Sequence, residues 1–152
     1  MEDQLQFAII TAALTVAGGV LVVSITEILK TLYLRPIGKI NEHIGTIIDR
    51  LIFYSANLTN YNSDRDEIIA MRSHLRSASS QLRAKKQSLK LYGFWAFLGL
   101  VPKSKSIDLV CRELIGLSNG IPVEGEHRIQ DSISNNHDAL VKIESALRFK
   151  LN

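Results

Sequence analysis

The residue types that most often carry chemistry are scattered along this sequence. Of its four histidines, none belongs to an HExxH pair or stands at a metal-binding spacing from the single cysteine, Cys111. The segment NYNSDRDEIIAM is similar to an acidic calcium loop, but it lacks the glycine of the sharp turn, and Met71 stands where the twelfth-position glutamate is needed. No glycine-rich phosphate loop and no GxSxG segment occur. We therefore predict a non-enzymatic protein with no catalytic site, no metal site and no cofactor.

Basic residues are concentrated in one part of the chain. No acidic residue occurs from Ser73 to Ile107, although the whole chain contains 15. Helical spacing places five basic residues on one face, and with the tryptophan that follows them we call this set the basic stripe: Arg72, Arg76, Arg83, Lys86, Lys90 and Trp95. Three interpretations are open, namely binding to anionic lipid or to an acidic protein partner, binding to nucleic acid, and a solvated face without a ligand.

The N-terminal segment decides among these interpretations because it places the rest of the chain. Residues 7–25 are 19 residues without a charge, and a helix of that length rises roughly 28 Å, close to the thickness of a bilayer's hydrocarbon core. Glu2 and Asp3 precede it, whereas a signal peptide begins with basic residues. A buried central helix of a soluble bundle and a cleaved signal are the alternatives. We predict a membrane span whose marker residues are Phe7, Ile10, Leu14, Gly18, Gly19, Val22 and Ile25.

The distribution of lysine and arginine around this span predicts its orientation. None precedes it, and three follow it closely: Lys30, Arg35 and Lys39. The positive-inside rule then places the C-terminal part in the cytoplasm and the N-terminus outside. We predict a single-pass protein of the bacterial inner membrane, in contact with the lipid bilayer. Nucleic acid is a less favoured partner, because the span holds the basic stripe near lipid.

Small residues recur along the span at spacings of three and four. Such spacing lets two membrane helices approach closely, so it indicates self-association into a homo-oligomer. The predicted association face consists of Ala8, Ala12, Thr15 and Gly19.

Four amphipathic segments follow Pro36, which predicts an end or a kink in the first helix. The first, at about 37–59, has a heptad pattern typical of a coiled coil or bundle. The second lies at about 64–91, and the fourth at about 125–150. The third begins at Ser104 or Ser106 and ends at a left-handed cap at Asn119–Gly120. Asn136 stands at a seam position of the last one, where it is either buried or partly exposed. The predicted fold is all-α, with a transmembrane anchor and juxtamembrane segment at 1–36 and a cytoplasmic antiparallel helical bundle at 37–152.

Residues 71–121 carry a resemblance to known proteins. Their sequence is MRSHLRSASSQLRAKKQSLKLYGFWAFLGLVPKSKSIDLVCRELIGLSNGI. The basic LR helix, the aromatic turn ending in VP and the helix ending in LIGLSN resemble a pattern in uncharacterised small bacterial single-span membrane proteins. That resemblance implies a membrane anchor with a cytoplasmic helical domain, and it implies no catalytic residues.

These observations favour one function and leave two alternatives open. The favoured hypothesis is a membrane-anchored, non-enzymatic helical module for interaction or oligomerisation. The first alternative is an oligomeric pore or membrane-perturbing effector, such as an accessory component of an antiphage system. The second is a soluble helical protein that binds nucleic acid through the basic stripe.

Overall fold

The computed structural model describes residues 2–59, 64–121 and 129–148. Every secondary-structure element within these ranges is helical, and none is a strand, so the prediction of an all-α protein is confirmed for the described residues. The chain divides into two compact units, unit 1 (Met1–Pro36) and unit 2 (Ile37–Asn152).

Unit 1 is built around one long apolar helix, α1 (Glu2–Leu29). The sequence explains its continuity, because its residues include neither proline nor a run of turn-forming polar residues. All of its large apolar side chains point away from protein contacts, and their exposed fractions run from 49% at Leu29 to 73% at Phe7. A helix in water would bury such a surface, so α1 is unusual in leaving all of it uncovered.

The helical backbone continues past Pro36, so of the two predicted outcomes, an end or a kink, the end is not found. A π-helical turn, Lys30–Leu34, follows α1 directly, and the N–H of Arg35 bonds the carbonyl of Lys30, five residues back. Helix α2 (Arg35–Thr59) begins at once. Proline lacks a backbone N–H and is best tolerated at the start of a helix, and the π-turn places Pro36 at the second position of α2.

Unit 2 begins with the heptad that the sequence predicts. All seven predicted seam positions of α2 are buried: Ile37, Ile40, Ile44, Ile47, Leu51, Tyr54 and Leu58. Beside the seam, Ile48 packs partly against the core, whereas Ile52 is 54% exposed. At 100° per residue, Ile52 lies about 120° from the centre of the seam, beyond the reach of the neighbouring helices.

The described part of unit 2 contains four further helices. They are α3 (Arg65–Ser88), α4 (Tyr92–Phe97), α5 (Ser104–Gly120) and α6 (Ile129–Leu147). The predicted apolar faces of α3 and α5 are buried, and α5 contacts both α3 and α6. Helix α5 begins at Ser104, and Lys103 takes the N-cap position without a side-chain cap. The predicted ends of the last helix, 125–128 and 149–150, lie outside the described residues.

Contacts between neighbouring helices pair residues in opposite chain order. From α2 to α3, His43 Nε2 lies 3.1 Å from the carbonyl of Ala78, and the hydroxyl of Tyr54 lies 2.7 Å from His74 Nδ1. From α3 to α5, the order is Ser79 with Cys111 and then Lys86 with Asp108. From α5 to α6, the carbonyl of Gly120 contacts Asn136, and Glu113 contacts Lys142.

Asn136, within α6, joins the C-terminal ends of α2 and α5. It is buried, and its Nδ2 donates to the carbonyls of Leu58 in α2 and of Gly120 in α5, each at 3.2 Å. A Cβ on Gly120 would stand 2.6 Å from Asn136 Oδ1, so only glycine leaves room for this amide. The predicted left-handed cap at Asn119–Gly120 is wrong, because both residues belong to α5 and neither has a positive φ. Close approach, not backbone conformation, requires the glycine.

Candidate functional site

The surface of α1 is apolar even where its sequence has hydroxyl groups. Four hydroxyls each donate to the carbonyl four residues earlier at 2.8 Å: Thr11 to Phe7, Thr15 to Thr11, Ser24 to Val20 and Thr26 to Val22. A hydroxyl that bonds its own helix in this way needs no water. These side chains are therefore compatible with a hydrocarbon environment, where every polar group must be satisfied internally.

Length and composition make this region a candidate membrane span. One helix in the described chain, Gln4–Ser55, is 52 residues long and contains a stretch apolar enough to cross a bilayer, and none of that stretch is buried. The marker residues from Phe7 to Ile25 are all exposed on it.

The predicted association face is open on α1. Ala8, Ala12 and Thr15 line a shallow surface together with Phe7, Thr11 and Val16, and a Cβ placed on Gly19 would meet no atom within 4 Å. Another helix could therefore approach this side without a steric barrier. The structure contains one chain, so self-association through this face stays a prediction.

Charged residues mark the C-terminal end of the apolar surface. Glu27 Oε2 lies 3.8 Å from Lys30 Nζ, and its Oε1 lies 3.8 Å from Arg35 Nη2. All three side chains are more than half exposed, so these pairs contribute little to stability. Both basic residues of unit 1, Lys30 and Arg35, therefore lie at the C-terminal end of the apolar surface.

Three of the six basic-stripe residues bond to α5 or to the residue that follows it. Arg72 Nη2 donates to the carbonyl of Ile121. Arg76 donates to Ser118 Oγ at 3.3 Å and to Asn119 Oδ1 at 2.9 Å. Lys86 Nζ contacts both carboxylate oxygens of Asp108 at 2.7 Å, and its side chain is 19% exposed. These three cations thus link α3 to α5 and to the residue after it.

The remaining members of the basic stripe do not form one continuous face. Arg83 and Lys90 are exposed, and Arg83 lines a groove of about 450 Å³ between α3 and α5. Trp95 is half-buried against the core, and its indole N–H donates to the carbonyl of Lys90 at 3.1 Å. The structure therefore brings Trp95 and Lys90 together and leaves Arg83 apart, next to Arg76.

The aromatic residues that do face outward were missed as site residues. Phe94 is 53% exposed and Phe97 is 86% exposed, and both belong to α4, the short helix that contains Trp95. The available signal was the helical spacing of three between Phe94 and Phe97, which sets them on a different face from Tyr92 and Trp95.

The buried cysteine and its neighbours are structural. Ser79 Oγ donates to the carbonyl of Cys111 at 2.9 Å, and Cys111 Sγ lies 3.5 Å from the carbonyl of Ser79. Burial raises the pKa of the Cys111 thiol, although the Ser79 hydrogen bond and the charges of Arg83 and Lys86 lower it in part. A neutral, buried thiol is a poor nucleophile.

Tyr92 holds the short helix α4 to the start of α5. Its hydroxyl donates to the carbonyl of Pro102 at 2.7 Å. Burial, followed by the charges of Asp108 and Cys111, raises the pKa of the Tyr92 phenol from 10.0 to about 12. The phenol is therefore neutral at physiological pH and acts as a hydrogen-bond donor.

Metal-binding chemistry finds no support in the described part of the chain. Within residues 2–59, 64–121 and 129–148, no three side chains of histidine, cysteine, aspartate or glutamate are grouped to hold an ion. His43 and His74 each make a hydrogen bond to a neighbouring helix instead. His127 lies outside the described residues.

Comparisons with known proteins add no family. A scan against protein-family models, a search of curated proteins and a search of solved structures each found no match to this chain. The resemblance of residues 71–121 to small bacterial single-span proteins stays a prediction, and function has to be argued from the geometry.

Proposed function

We propose that this protein is a membrane-anchored, non-enzymatic helical module for interaction or oligomerisation. The observation that carries the proposal is the uncovered apolar surface of α1, on which every large apolar side chain is at least 49% exposed. Water disfavours such a surface, whereas lipid tails accept it without cost. A helix with internally bonded hydroxyls and an apolar exterior is suited to the bilayer core.

The second part of the proposal is that residues 37–152 form an antiparallel bundle. The reversed order of the pairs between α2 and α3, α3 and α5, and α5 and α6 supports it. Short connections join α3 to α4 and α4 to α5, as antiparallel neighbours require. A rigid bundle behind a span would act by placement, holding a binding surface at the membrane.

The proposed topology places the N-terminus outside the inner membrane and unit 2 in the cytoplasm. Lys30, Arg35 and Lys39 follow the span, and Lys30 and Arg35 both pair with Glu27 at its end. The excess of basic over acidic residues at this end supports a cytoplasmic location. A buried, reduced Cys111 is compatible with that compartment.

Carbonate extraction of membranes from expressing cells tests the anchor. We expect the full chain to remain in the pellet, because only peripheral proteins are released at alkaline pH. Release into the supernatant would contradict the proposal.

Cysteine labelling in intact cells tests the topology. In a Cys111→Ala background, a membrane-impermeant maleimide should label Gln4→Cys in intact cells and Ser73→Cys only after permeabilisation. Both positions are exposed, so burial does not limit either reaction. The opposite labelling pattern would overturn the orientation and leave the anchor standing.

A pore or membrane-perturbing effector is the second candidate, favoured by the open small-residue face of α1. The internal hydroxyl bonds of Thr11 and Thr15 count against a water-filled lumen, because those groups are already satisfied. Gly18 and Gly19 provide a matched pair, since neither has an atom within 4 Å of an added Cβ. A pore built on this face should lose its ion flux with Gly19→Leu and keep it with Gly18→Leu. Equal fluxes in both variants would remove the pore.

Nucleic-acid binding through the basic stripe has lost support. Arg72, Arg76 and Lys86 have protein partners, so the number of open cations falls below what phosphate binding along the stripe needs. An acidic protein partner at Arg83 and Lys90 stays within the proposal.

A further inference from the structure

Among the described residues of unit 2, the turn between α3 and α5 has the longest run of exposed large apolar side chains. Over residues 91–100, five large apolar residues are between 44% and 86% exposed: Leu91, Phe94, Phe97, Leu98 and Leu100. We call this segment the apolar turn. Scattered exposed leucines are ordinary, but a contiguous patch containing two phenylalanines indicates an interaction surface.

The apolar turn is held in place by the side chains that do not take part in the patch. Trp95 packs on the core and donates to the carbonyl of Lys90, and the hydroxyl of Tyr92 donates to the carbonyl of Pro102. Asn41 of α2 donates to the carbonyl of Leu100 at 3.0 Å. Phe94 and Phe97 are therefore displayed on a braced support and not on a free loop.

The backbone of the turn is strained where the patch begins and near where it ends. Leu91 has φ of 57°, in the left-handed region that a leucine rarely adopts, and its carbonyl accepts the N–H groups of Phe94 and Trp95. Gly99 has φ of 75° and closes the turn. Strain of this kind persists only where the surroundings hold it, and here it turns Leu91 and Phe94 outward.

Positive charge surrounds the apolar turn. Lys90 precedes it, and Lys103 and Lys105 follow it, all exposed. A groove of about 700 Å³ runs beside it between α2 and the end of α6, and its described lining contains Lys103 and Arg148 and no acidic side chain. A rim of lysine around exposed aromatic residues matches the headgroup layer of an anionic bilayer, with the aromatics at the acyl boundary.

The position of the apolar turn within unit 2 also favours an anionic bilayer as its binding partner. Asn41, which bonds the turn, lies five residues after Pro36, at the end of unit 2 where the chain enters from unit 1. Five residues of chain span no more than about 18 Å, whichever way the two units are turned. This end of unit 2 is therefore the one that the chain tethers to unit 1.

We propose that the apolar turn docks on the anionic surface of the bilayer, with Phe94 and Phe97 entering the headgroup layer and Lys90, Lys103 and Lys105 binding lipid phosphates. This inference rests on the proposed membrane anchor. It replaces Trp95 as the interfacial residue and moves the lipid-binding charges from the basic stripe to the rim of the turn.

The chain contains one tryptophan, so the fluorescence of Trp95 reports on this turn alone. Full-chain protein is reconstituted in vesicles whose lipids carry bromine on the upper acyl chain, which quenches a nearby indole, and the ring centroid of Trp95 lies 5.0 Å from that of Phe94. One set contains phosphatidylglycerol and the other only phosphatidylcholine. We expect Trp95 to lose most of its fluorescence in the anionic vesicles and to keep it in the neutral ones. Flotation of the same samples reports insertion independently.

Matched variants locate the contact. Phe97→Glu should restore the fluorescence, whereas Phe53→Glu should not, although Phe53 is also exposed, by 73%. Moving the probe with Trp95→Phe and Phe53→Trp together should abolish quenching. Changing Lys90, Lys103 and Lys105 to glutamine should weaken docking on the order of a hundredfold, at about fivefold per lysine.

Four outcomes would overturn the docking surface. Protein that floats while Trp95 stays unquenched in anionic vesicles leaves the anchor intact and removes the docking. If Trp95 is then also shielded from aqueous iodide, a second copy of this chain covers the turn. Equal quenching in neutral vesicles removes the role of the lysines. Protein that does not float removes the anchor and the docking together.

Discussion

Helices α1 and α2 follow one another in the chain, and both are rich in aliphatic residues, but they distribute them differently. On α2 the aliphatic residues form one stripe, and all seven seam positions are buried within unit 2. On α1 they cover every side, and none is buried. The proposed anchor accounts for this difference: α2 receives its apolar neighbours from its own chain, whereas α1 would receive them from lipid or from other copies.

The largest expected effect is on the free energy of unfolding, when one leucine of each unit is replaced by alanine. Leu114 is fully buried and Leu14 is 68% exposed. Leu114→Ala should reduce the unfolding free energy of unit 2 by about 2–5 kcal/mol, because it leaves a cavity in the core. Leu14→Ala should change it by less than about 0.5 kcal/mol. Urea unfolding in detergent, followed by Trp95 fluorescence, measures both, and equal losses would contradict the division of roles.

A charge in the middle of each apolar surface gives the next effect. Leu14→Arg should disfavour membrane insertion by about 2.5–3.5 kcal/mol, because arginine has to be buried in hydrocarbon. Ile52→Arg is the matched control, since Ile52 is 54% exposed on unit 2. Apparent insertion free energies from a translocon assay compare the variants. An unchanged value for Leu14→Arg would place α1 outside the bilayer.

A third effect tests the buried amide that joins three helices of unit 2. Asn136→Ala leaves the carbonyls of Leu58 and Gly120 without their donor and should cost about 1–3 kcal/mol of unfolding free energy. Gly120→Ala should also destabilise, because its Cβ would stand 2.6 Å from Asn136 Oδ1.

The double variant distinguishes a clash from a general loss of packing. With Asn136 already alanine, the oxygen that Gly120→Ala would meet is gone, so the double loss should be smaller than the sum of the single losses. Strict additivity, measured by chemical unfolding, would show that the two residues do not interact.

The smallest effect concerns alkaline pH. The pKa of Tyr92 is about 12 in the folded protein and near 10 when unfolded, so the folded state favours the neutral phenol. Its contribution to stability is complete below pH 10 and is lost as the pH rises from 10 to 12.

Tyr92→Phe should therefore flatten the decline of unfolding free energy over that range, while also losing the bond to the carbonyl of Pro102. Ionisation of Cys111 also lowers the unfolding free energy as the pH rises, so the comparison is made in a Cys111→Ala background. If unfolding free energy declined with pH equally steeply in the Tyr92→Phe variant, the decline would not come from the Tyr92 phenol.

The sequence was most informative where one periodic pattern ran through a long helix. The seam of α2 and the apolar faces of α3 and α5 could be predicted because helical spacing alone decides which side chains share a face. It was less informative in α4, where six residues are nearly all apolar and either face could be the buried one. The contact of Trp95 with the core decides which face of α4 is buried, and that contact depends on helices distant in sequence.

Long-range contacts also explain the other errors. The bonds from Arg76 and Lys86 to α5 join residues 43 and 22 positions apart, which no local pattern reveals. Gly120 looked like a helix cap because glycine is common there, but the amide of Asn136 requires it. Pro36 is a different case, because a local π-turn before it lets the helix continue where an end or a kink was expected.

Spin labels along α1 test the central claim most directly. Single cysteines from position 7 to position 25, in a Cys111→Ala background, are labelled in full-chain protein reconstituted in anionic bilayers. The account predicts high collision rates with lipid-soluble oxygen and low rates with an aqueous nickel reagent at every central position, with oxygen access reduced only at Ala8, Ala12, Thr15 and Gly19. High access of the aqueous reagent at those central positions, or exclusion of both reagents from all sides, would contradict it.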